Sequence, residues 1–289
     1  MAPSSAVLIT GCSTGIGRAT AQRLLADGRP VWASARSLDA IADLADLGAR
    51  TLALDVTEAA SMQAAVAEVE AVHGAVGALV NNAGYGLHGP VEELDPAAVR
   101  RQFETNVFGL LRLSQLVLPG MRAQRSGRIV NVSSMGGRMT LPGGGAYHAS
   151  KYAVEALSDA LRFEVAGFGV RVSLVEPGPV LTEFVQTALE TNAAPDGGSG
   201  PYTEFRASLA ASVAGAYQGR SRLLASSPER VARAIQHAVS ATRPRSRYVV
   251  GPTARLLINA RRVLPDVAWD ALIARQYDRP NFNSSVRLA

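Results

Sequence analysis

Residues 10–17 read Thr-Gly-Cys-Ser-Thr-Gly-Ile-Gly and decide the fold, because they join an apolar run at 6–9 to a helical pattern that ends near Ala26. The apolar run is typical of a strand that is buried on both faces. Glycines at such a strand–helix junction allow a tight turn in which backbone N–H groups approach a phosphate at the helix N-terminus. The stretch therefore predicts a phosphate-binding loop at the start of an α/β fold.

The chain beyond this loop alternates short β-branched runs with alanine-rich helical stretches. The predicted strands cover residues 6–10, 30–35, 51–54, 78–81, 127–133, 170–176 and 247–250, and the predicted helices include 16–26, 38–47, 58–73 and 146–166. This alternation indicates parallel strands joined by right-handed crossovers, with helices on both faces of the sheet. We therefore predict a single Rossmann-type, doubly wound α/β domain over residues 1–289.

Two C-terminal segments complete the predicted domain. Residues 183–226 follow the sixth strand as a loop or lid, and their Pro- and Gly-rich part at 192–201 excludes a long regular element. Residues 227–289 supply a helix that begins at Ser227, the last strand and a tail. The apolar stretch at 254–264 favours an amphipathic core helix, with a membrane-surface helix or a subunit contact as the alternatives.

The composition argues against several functional classes. The single cysteine excludes an internal disulfide, and the four histidines are not spaced as ligands, so we predict no metal site. The net charge of +5 comes with scattered arginines and no interleaved aromatics, which favours a solvated surface over nucleic-acid binding. No signal peptide and no membrane-spanning run is recognisable, so we expect a cytoplasmic protein.

The basic residues of the chain are almost all arginines. The chain has 29 basic residues, and only one of them, Lys151, is a lysine. Tyr147 lies four residues earlier on a predicted helix, so the two side chains share a face, with Cβ atoms about 5–6 Å apart. A tyrosine ordinarily has a pKa of about 10, and a neighbouring ammonium would lower this pKa by stabilising the phenolate. The pair is therefore a candidate general acid and base.

Ser134 is a third candidate because it directly follows the predicted strand at 127–133. In a parallel sheet the C-terminal ends of the strands line the ligand crevice. A serine at that place can donate a hydrogen bond to a substrate oxygen as negative charge develops on it. The residues alone leave the adjacent Ser133 open as the alternative.

Further motifs complete the pattern of a known family. The glycines at 11, 15 and 17 have the spacing G-x-x-x-G-x-G; Asn81-Asn82-Ala83-Gly84 follows the fourth strand, Asn106 lies in Asn-Val-Phe-Gly, Ser134 in Asn-Val-Ser-Ser-Met, Tyr147 and Lys151 in Tyr-His-Ala-Ser-Lys, and Pro177-Gly178 after the sixth strand. In this order the motifs resemble the classical short-chain dehydrogenases/reductases over residues 5–185. The stretches at 134–137 and 178–180 resemble the branch that acts on steroid- and retinoid-like alcohols.

This resemblance implies an enzyme that moves a hydride between a nicotinamide cofactor and a carbonyl or alcohol. It implies that the catalytic residues are Asn106, Ser134, Tyr147 and Lys151, with Ser134 selected by its thirteen-residue distance from Tyr147 and Asn106 holding a water that links Lys151 to solvent. The cofactor-binding residues that it implies are Gly11, Ser13, Gly15, Ile16, Gly17, Arg36, Asp55, Val56, Asn82, Ala83, Gly84, Tyr147, Lys151, Pro177, Gly178 and Thr182. Among these, Asp55 and Val56 would contact the adenine, Thr182 the carboxamide and Lys151 the nicotinamide ribose.

The end of the second predicted strand, Trp32-Ala33-Ser34-Ala35-Arg36, bears on the choice of cofactor. An acidic residue there accepts from the ribose 2′-OH of NAD, whereas a basic residue receives the 2′-phosphate of NADP. Arg36 can bind a phosphate through two parallel hydrogen bonds, with Ser13 as a helper. Thr14 stands where many NADP-preferring relatives carry a basic residue, so NAD(H) stays the alternative to the favoured NADP(H).

In the resembled family, the segment that corresponds to the predicted loop at 183–226 determines the substrate. It carries Phe184, Tyr202, Phe205 and Tyr217, which would close over a lipophilic ligand, with an aromatic-bearing surface loop as the alternative. We therefore predict a hydrophobic ketone or aldehyde and its alcohol as substrates, and a homodimer or homotetramer that packs through the helices around Asn106 and Tyr147. The rival functions are a non-catalytic NADP(H)-binding redox sensor and an epimerase or dehydratase on the same fold. The Tyr147/Lys151 pair argues against the first and the chain length against the second.

Overall fold

Seven parallel strands form the sheet of this protein, in a computed structural model that describes residues 2–182, 200–216 and 224–277. The strands are β1 (Val7–Ile9), β2 (Val31–Ala35), β3 (Arg50–Ala53), β4 (Ala78–Asn81), β5 (Gly127–Val132), β6 (Val170–Pro177) and β7 (Arg247–Val250). They lie in the order β3-β2-β1-β4-β5-β6-β7, and every neighbouring pair is parallel. The strand order reverses between β1 and β4, which places a ligand crevice outside the carboxyl ends of these strands. The predicted doubly wound Rossmann-type fold is confirmed.

Helices cover both faces of the sheet. Those in the described part of the chain are α1 (Gly15–Ala26), α2 (Ala42–Asp46), α3 (Ala59–His73), α4 (Pro96–Phe103), α5 (Leu110–Ala123), α6 (Gly145–Glu164), α7 (Thr203–Ala216), α8 (Pro228–Ser240), α9 (Pro252–Val263) and α10 (Asp266–Ile273). Alternate residues of β1 reach opposite faces, since Val7 and Ile9 belong to one apolar cluster and Leu8 to the other. A strand has a period of two residues, so burial of both faces explains why the whole run is apolar.

The two apolar clusters join different helices to the sheet. One includes Leu24 of α1 and Ile235 of α8, and the other includes Val69 of α3 and Val117 of α5. All four side chains are completely buried. Each contributes about 1.5–3 kcal/mol by leaving water, so this packing fixes the sheet from which the loops of the site extend.

Three predicted elements differ from the structure. The predicted helix at 38–47 is a 3-10 turn, Asp39–Ile41, followed by the five-residue α2, because Ile41 leaves helical geometry with a φ of −132°. The predicted strand at 127–133 ends at Val132, which leaves Ser133 in the following loop. The predicted loop at 183–226 contains α7, whose alanine-rich sequence favours a helix without clear apolar periodicity; residues 183–199 and 217–223 lie outside the described residues.

Two predicted helices of the C-terminal part are present in the structure. α8 begins after Ser227, whose Oγ accepts a hydrogen bond from the backbone N of Arg230 at 3.4 Å. The stretch at 254–264 corresponds to α9, which buries Ala254 and Ile258. Across the described ranges, no helix combines the length and the apolar composition needed to cross a membrane. The prediction of a single domain over the whole chain stays a prediction.

Candidate active site

The predicted phosphate-binding loop lies between β1 and α1, where three glycines omit side chains that the loop could not accommodate. A Cβ atom on Gly17 would lie 2.1 Å from the carbonyl oxygen of Gly11 and 2.6 Å from Nδ2 of Asn82. Gly11 and Gly15 have φ values of +70° and +54°, which residues with a Cβ atom rarely adopt. Among the described residues no side chain caps the N-terminus of α1. The loop therefore presents a helix N-terminus that fits a pyrophosphate.

Neutral hydrogen bonds hold this loop against the end of β4. Oγ1 of Thr10 accepts from the backbone N atoms of Asn82 and Ala83, both at 3.0 Å. Nδ2 of Asn82 donates to the carbonyl oxygens of Thr10 and Gly11 at 2.9 and 3.0 Å. The glycine loop and the Asn82-Ala83-Gly84 motif are therefore one structural unit.

Arg36 follows β2 and lines the same cavity as the glycine loop. Within the described residues, no carboxylate lies at ion-pair distance from its guanidinium. Asp55 is close by, but its Oδ1 accepts from the backbone N and Oγ1 of Thr57 at 2.8 and 2.7 Å. The backbone hydrogen bond from Thr57 holds the pKa of the Asp55 carboxyl below its usual value. The guanidinium is therefore available for a phosphate.

Tyr147 and Lys151 lie one turn apart on α6, and both line the cavity. Nζ of Lys151 is 5.8 Å from the centre of the Tyr147 ring and donates to the carbonyl oxygen of Val132 at 2.9 Å. Lys151 is only 6% exposed. Burial lowers the pKa of its ammonium from 10.5 to about 8, and the charge of Glu155 opposes this fall. The amine can therefore exchange protons close to neutral pH.

The two candidate serines have different surroundings. Oγ of Ser134 accepts from the backbone N of Gly136 at 3.0 Å, at the start of the 3-10 turn Met135–Gly137. Ser133 is 2% exposed, and its Oγ lies 2.8 Å from the place that a Cβ atom on Gly137 would take. The Oγ of Ser133 has no hydrogen-bond partner in the part of the chain that the structure describes. The half-buried Ser134 is therefore the better placed of the two to meet a substrate.

Asn106 lies in the π-helical segment Glu104–Gly109 between α4 and α5, and it is 1% exposed. Its Oδ1 accepts from the backbone N of Tyr85 at 3.0 Å, and its Nδ2 donates to the carbonyl oxygen of Tyr85 at 2.9 Å. A further bond joins Nδ2 to Oγ of Ser150 at 3.0 Å. The side chain thus fixes the loop after β4, and single π-helical turns of this kind are frequent at functional sites. The water predicted beside Asn106 stays a prediction.

A cavity of about 720 Å³ brings the predicted residues together. Those that line it are Gly11, Ser13, Gly15, Ile16, Arg36, Asp55, Val56, Asn82, Ala83, Gly84, Ser134, Tyr147, Lys151, Pro177, Gly178 and Thr182. Gly17 and Asn106 do not line the cavity, because both support its wall from behind. A Cβ atom on Gly15 would lie 2.9 Å from Cγ2 of Thr182, so the glycine loop meets the segment after β6.

Two histidines that were not predicted contact the ring of Tyr147. The rings of His88 and Tyr147 stack with centroids 5.8 Å apart and planes 29° apart, and the ring of His148 lies at 5.6 Å and 57°. Burial lowers the pKa of both imidazoles, that of His88 to about 4, so both are neutral at pH 7. Nδ1 of His148 donates to the carbonyl oxygen of Gly136 at 3.1 Å. The position of His148 next to Tyr147 was the only sequence signal for it, and no signal pointed to His88.

A further part of the cavity wall comes from α7, α9, α10 and the residues directly after α10. Its members are Leu209, Ser212, Leu257, Leu272, Ile273, Gln276 and Tyr277, none of which was predicted. The prediction that aromatic side chains close the cavity is wrong for Tyr202 and Phe205, because α7 turns Leu209 and Ser212 towards the cavity instead. Tyr202 donates to Oε2 of Glu92 at 2.6 Å and packs edge-on against Phe205. Phe184 and Tyr217 lie outside the described residues.

Comparison with known proteins agrees with this site. Residues 5–193 match the family model described as short chain dehydrogenase. The chain belongs to the short-chain dehydrogenase family. The predicted resemblance is confirmed, and with it an oxidoreductase of the kind that binds NAD(P).

Three similar proteins illustrate the relationship. The uncharacterized oxidoreductase YbbO of Escherichia coli K12 is 35% identical over 268 residues, which cover 92% of this chain and 93% of that protein. Retinol dehydrogenase 8 of Homo sapiens is 37% identical over 258 residues, covering 82% and 78% of the two chains. The closed form of a serine dehydrogenase complexed with NADP+ superimposes with a TM-score of 0.73 and 30% identity, covering 86% of this chain and 95% of that one. The protein is thus a classical short-chain dehydrogenase with a retinol-type relative.

Proposed function

We propose that this short-chain dehydrogenase is NADP(H)-dependent and interconverts a hydrophobic ketone or aldehyde and its alcohol. The observation that carries the proposal is the buried ammonium of Lys151, 5.8 Å from the ring centre of Tyr147, in a cavity that the glycine loop also lines. Residues suited to a phosphate and residues suited to proton transfer therefore border one space.

The chain itself supplies the proton chemistry, while NADPH supplies the hydride when it is bound. Tyr147 donates a proton to the carbonyl oxygen during reduction and accepts it from the alcohol during oxidation. The ammonium of Lys151 stabilises the phenolate that remains after donation. Ser134 donates a hydrogen bond to the substrate oxygen and holds it towards the phenol. Asn106 keeps the loop at Tyr85 in place and, in this proposal, holds the water that returns a proton to Lys151.

The neighbouring histidines support this role without competing for it. His88 and His148 are neutral at pH 7 because burial lowers the pKa of each imidazole. Neither ring therefore places a second positive charge beside the phenol at that pH. Their contacts with Tyr147 restrict its ring, which helps to hold the hydroxyl in one orientation.

NADP(H) is the proposed cofactor because the described residues fit its phosphates. The close approach of Gly17 to Gly11, which a Cβ atom would prevent, lets the loop turn so that a pyrophosphate would lie beside the N-terminus of α1. Gly11, Ser13 and Gly15 would hold it there, with Asp55 and Val56 at the adenine and Thr182 at the carboxamide. Arg36, whose guanidinium forms no ion pair within the described ranges, would bind the 2′-phosphate. The NADP+ in the related serine dehydrogenase structure is consistent with this cofactor.

The proposed substrate is lipophilic because the outer wall of the cavity is mainly aliphatic. Leu209, Leu257, Leu272 and Ile273 line this wall, and apolar walls with few polar groups are typical of sites for hydrophobic ligands. The retinol-type relative is consistent with such a substrate.

A homodimer or homotetramer is proposed because the helices around Asn106 and Tyr147 carry exposed aromatic side chains. Phe108, Tyr152 and Phe163 are 50%, 43% and 87% exposed. Aromatic residues are enriched at subunit interfaces. Light scattering coupled to gel filtration measures the assembly, and a monomer at micromolar concentration would contradict it. The cytoplasmic location stays a prediction.

Cofactor turnover tests the proposed function. Purified protein is mixed with NADPH or NADH and a panel of hydrophobic and small polar ketones, and nucleotide oxidation is recorded. Tyr147→Phe is expected to lower kcat by about 10²–10⁴-fold while NADPH binding, measured by nucleotide fluorescence, is retained. Tyr152→Phe is the matched control, because this tyrosine lies on the same helix but does not line the cavity. Nucleotide binding without turnover of any ketone would instead favour the non-catalytic sensor.

A further inference from the structure

A group of four charged side chains lies behind Lys151, on the side away from Tyr147. We call Arg138, Glu155, Glu176 and Arg247 the rear cluster. They come from the turn after β5, from α6, from the end of β6 and from β7. Glu176 is completely buried and Glu155 is 6% exposed. No step of the proposed reaction uses these groups, so their burial needs another explanation.

Arg247 ties the two carboxylates of the rear cluster together. Its Nε lies 2.9 Å from Oε1 of Glu176 and 3.2 Å from Oε2 of Glu155. Its Nη2 lies 3.0 Å from the same Glu155 oxygen and 2.6 Å from Oδ2 of Asp159. Arg138 adds a contact of 3.2 Å between its Nη1 and Oε1 of Glu176. One guanidinium therefore holds two buried carboxylates close to each other.

The rear cluster has too few hydrogen bonds to be explained as a device that stabilises the fold. Oε1 of Glu155 and Oε2 of Glu176 are buried and have no hydrogen-bond partner among the residues described. Buried ion pairs with unsatisfied oxygens often stabilise a fold less than apolar side chains of the same volume. Glu155 nevertheless sits four residues after Lys151 on α6, which places the two side chains on one face with Cβ atoms about 5–6 Å apart.

The contacts of Gly137 connect the cluster to the catalytic lysine. A Cβ atom on Gly137 would lie 2.9 Å from Cγ of Glu155 and 3.0 Å from the carbonyl oxygen of Lys151. The same position is 2.8 Å from Oγ of Ser133. Only a glycine allows the turn after β5 to approach this closely, so the turn, Glu155 and Lys151 form one packed unit.

We propose that Glu155, held by Arg247, is a positioning residue that keeps the ammonium of Lys151 charged inside the cavity. The proposal rests on the proposed function for its consequence in catalysis. A buried ammonium without a negative neighbour loses its proton at lower pH, and Tyr147 would then lose part of the charge that stabilises its phenolate. Glu176 accepts from the same Nε of Arg247 and helps to hold the guanidinium beside Glu155.

The titration behaviour of the cluster is consistent with this role. Burial and the nearby charge of Glu155 raise the pKa of Glu176 to about 7. The charge of Glu155 raises the pKa of Lys151 against the effect of burial. The titratable and charged groups around Lys151 are Tyr147, His148, Glu155 and Asp159 on its own helix, His88 after β4, Arg138 after β5, Glu176 on β6 and Arg247 on β7.

The single lysine of the chain makes a direct test practical. Protein expressed with lysine labelled with ¹³C at the ε position, without lysine in any tag, gives one signal, that of Lys151. Its chemical shift against pH reports the midpoint of the amine in the wild type, in Glu155→Gln and in Asp159→Asn. Asp159 contacts the same arginine but is more exposed, so Asp159→Asn is the matched control.

Glu155→Gln is expected to lower the midpoint of the Lys151 amine by about one pH unit. Asp159→Asn is expected to leave the midpoint unchanged. Glu155→Asp keeps the negative charge, so its midpoint is expected to lie closer to that of the wild type than the midpoint of Glu155→Gln does. Thermal unfolding shows whether each variant is folded. If Glu155→Gln is not, Glu155→Asp decides: its carboxylate is one methylene further back, so its midpoint is expected to fall below that of Asp159→Asn, and equal midpoints would overturn the proposal. An unchanged midpoint in folded Glu155→Gln would overturn the proposal. Because this readout needs no turnover, it separates a failure of the proposal from a failure of the proposed function.

The kinetic consequence is a second readout that a purely structural role would not produce. In the direction of alcohol oxidation, Glu155→Gln is expected to move the acid limb of the kcat profile to higher pH, because the phenolate of Tyr147 loses part of its stabilisation. Glu155→Asp is expected to move it back. A uniform loss of kcat at every pH, with no movement of the limb, would contradict the positioning role.

Discussion

At one end of the cavity, Thr10 and Asn82 exchange four hydrogen bonds with neutral backbone partners, and glycines shape the turn. At the other end Lys151 is buried, and behind it lie the buried carboxylates of Glu155 and Glu176, each with one oxygen that has no hydrogen-bond partner among the described residues. The proposed phosphate-binding end depends on backbone shape and should respond to volume, whereas the proposed catalytic end depends on buried charge and should respond to pH. If the proposed function holds, one cavity combines a binding site that depends on backbone shape with a catalytic site that depends on buried charge.

The comparison also separates what each end costs in stability. Neutral groups with satisfied hydrogen bonds are retained at little cost. Burying an ammonium is unfavourable unless a partner compensates it, and the lowered pKa of Lys151 shows that compensation is incomplete. The catalytic end is therefore expected to lower the stability of the fold for the sake of reactivity.

The largest effect is expected from Gly17→Ala, which tests the dependence on shape. The added Cβ atom would overlap the carbonyl oxygen of Gly11 at 2.1 Å, so the loop must open or the helix must shift. We expect loss of detectable NADPH binding and a fall of about 3–5 kcal/mol in the free energy of unfolding, measured by fluorescence titration and urea unfolding. Gly167→Ala is the control, since its Cβ atom would meet nothing within 4 Å. Equal NADPH affinity in the two variants would contradict the claim that the phosphate-binding end depends on backbone shape.

A smaller effect with the opposite sign is expected from Lys151→Met. The folded-state pKa of Lys151 is about 8, below its ordinary 10.5, so between these two pH values the unfolded chain holds a proton that the folded protein has lost. The wild-type free energy of unfolding therefore gains a contribution as pH rises through this window and lacks it below pH 8. Lys151→Met should be more stable by about 1–3 kcal/mol at pH 7, with the gain vanishing above pH 10.5.

Urea unfolding at pH 7 and pH 10 measures this difference. Lys151→Arg, which keeps a permanent charge in the same place, is expected to show no gain at either pH. A methionine variant that is less stable than the wild type at pH 7 would mean that the ammonium is well compensated, and the contrast between the two ends would weaken.

Arg36→Glu tests the one charged side chain that is proposed to bind a phosphate of the cofactor. The substitution replaces a donor for a 2′-phosphate with an acceptor for a 2′-hydroxyl. We expect the ratio of kcat/KM for NADPH to that for NADH to fall by tenfold or more, equivalent to about 1.4 kcal/mol, without a change in thermal stability. An unchanged ratio would assign the cofactor preference to other residues.

The smallest effect is expected from Asp43→Asn. Its carboxylate pairs with Arg18 at 2.7 Å at the phosphate-binding end, but the side chain of Asp43 is 54% exposed. Exposed pairs contribute about 0–1 kcal/mol, so urea unfolding should show a loss no larger than this and NADPH affinity should be unchanged. A loss of several kcal/mol would show that charge also governs the phosphate-binding end.

The fold and much of the cavity could be predicted because their signals are local. Strand runs, the glycine turn and the four-residue spacing of Tyr147 and Lys151 are each contained in a short window of sequence. Sixteen predicted residues line the cavity, and Arg36 was placed correctly at the end of β2. The helix α7 was missed because its sequence has no clear apolar periodicity, and the predicted aromatic closure was wrong for Tyr202 and Phe205 because side-chain direction depends on where that helix packs.

By itself, the sequence determined the alternation of strands and helices along the chain, the glycine turn after β1 and the shared face of Tyr147 and Lys151. These features depend on the periods of helices and strands, which are visible within a few residues. Only the tertiary structure decided that Lys151 is buried, that His88 stacks on Tyr147, and that Glu155 and Glu176 share Arg247. Burial and electrostatic neighbours come from segments that are distant in the chain, and these non-local contacts set the pKa of a side chain. Short stretches of sequence thus identify the chemical groups of the site, while the tertiary structure determines their protonation.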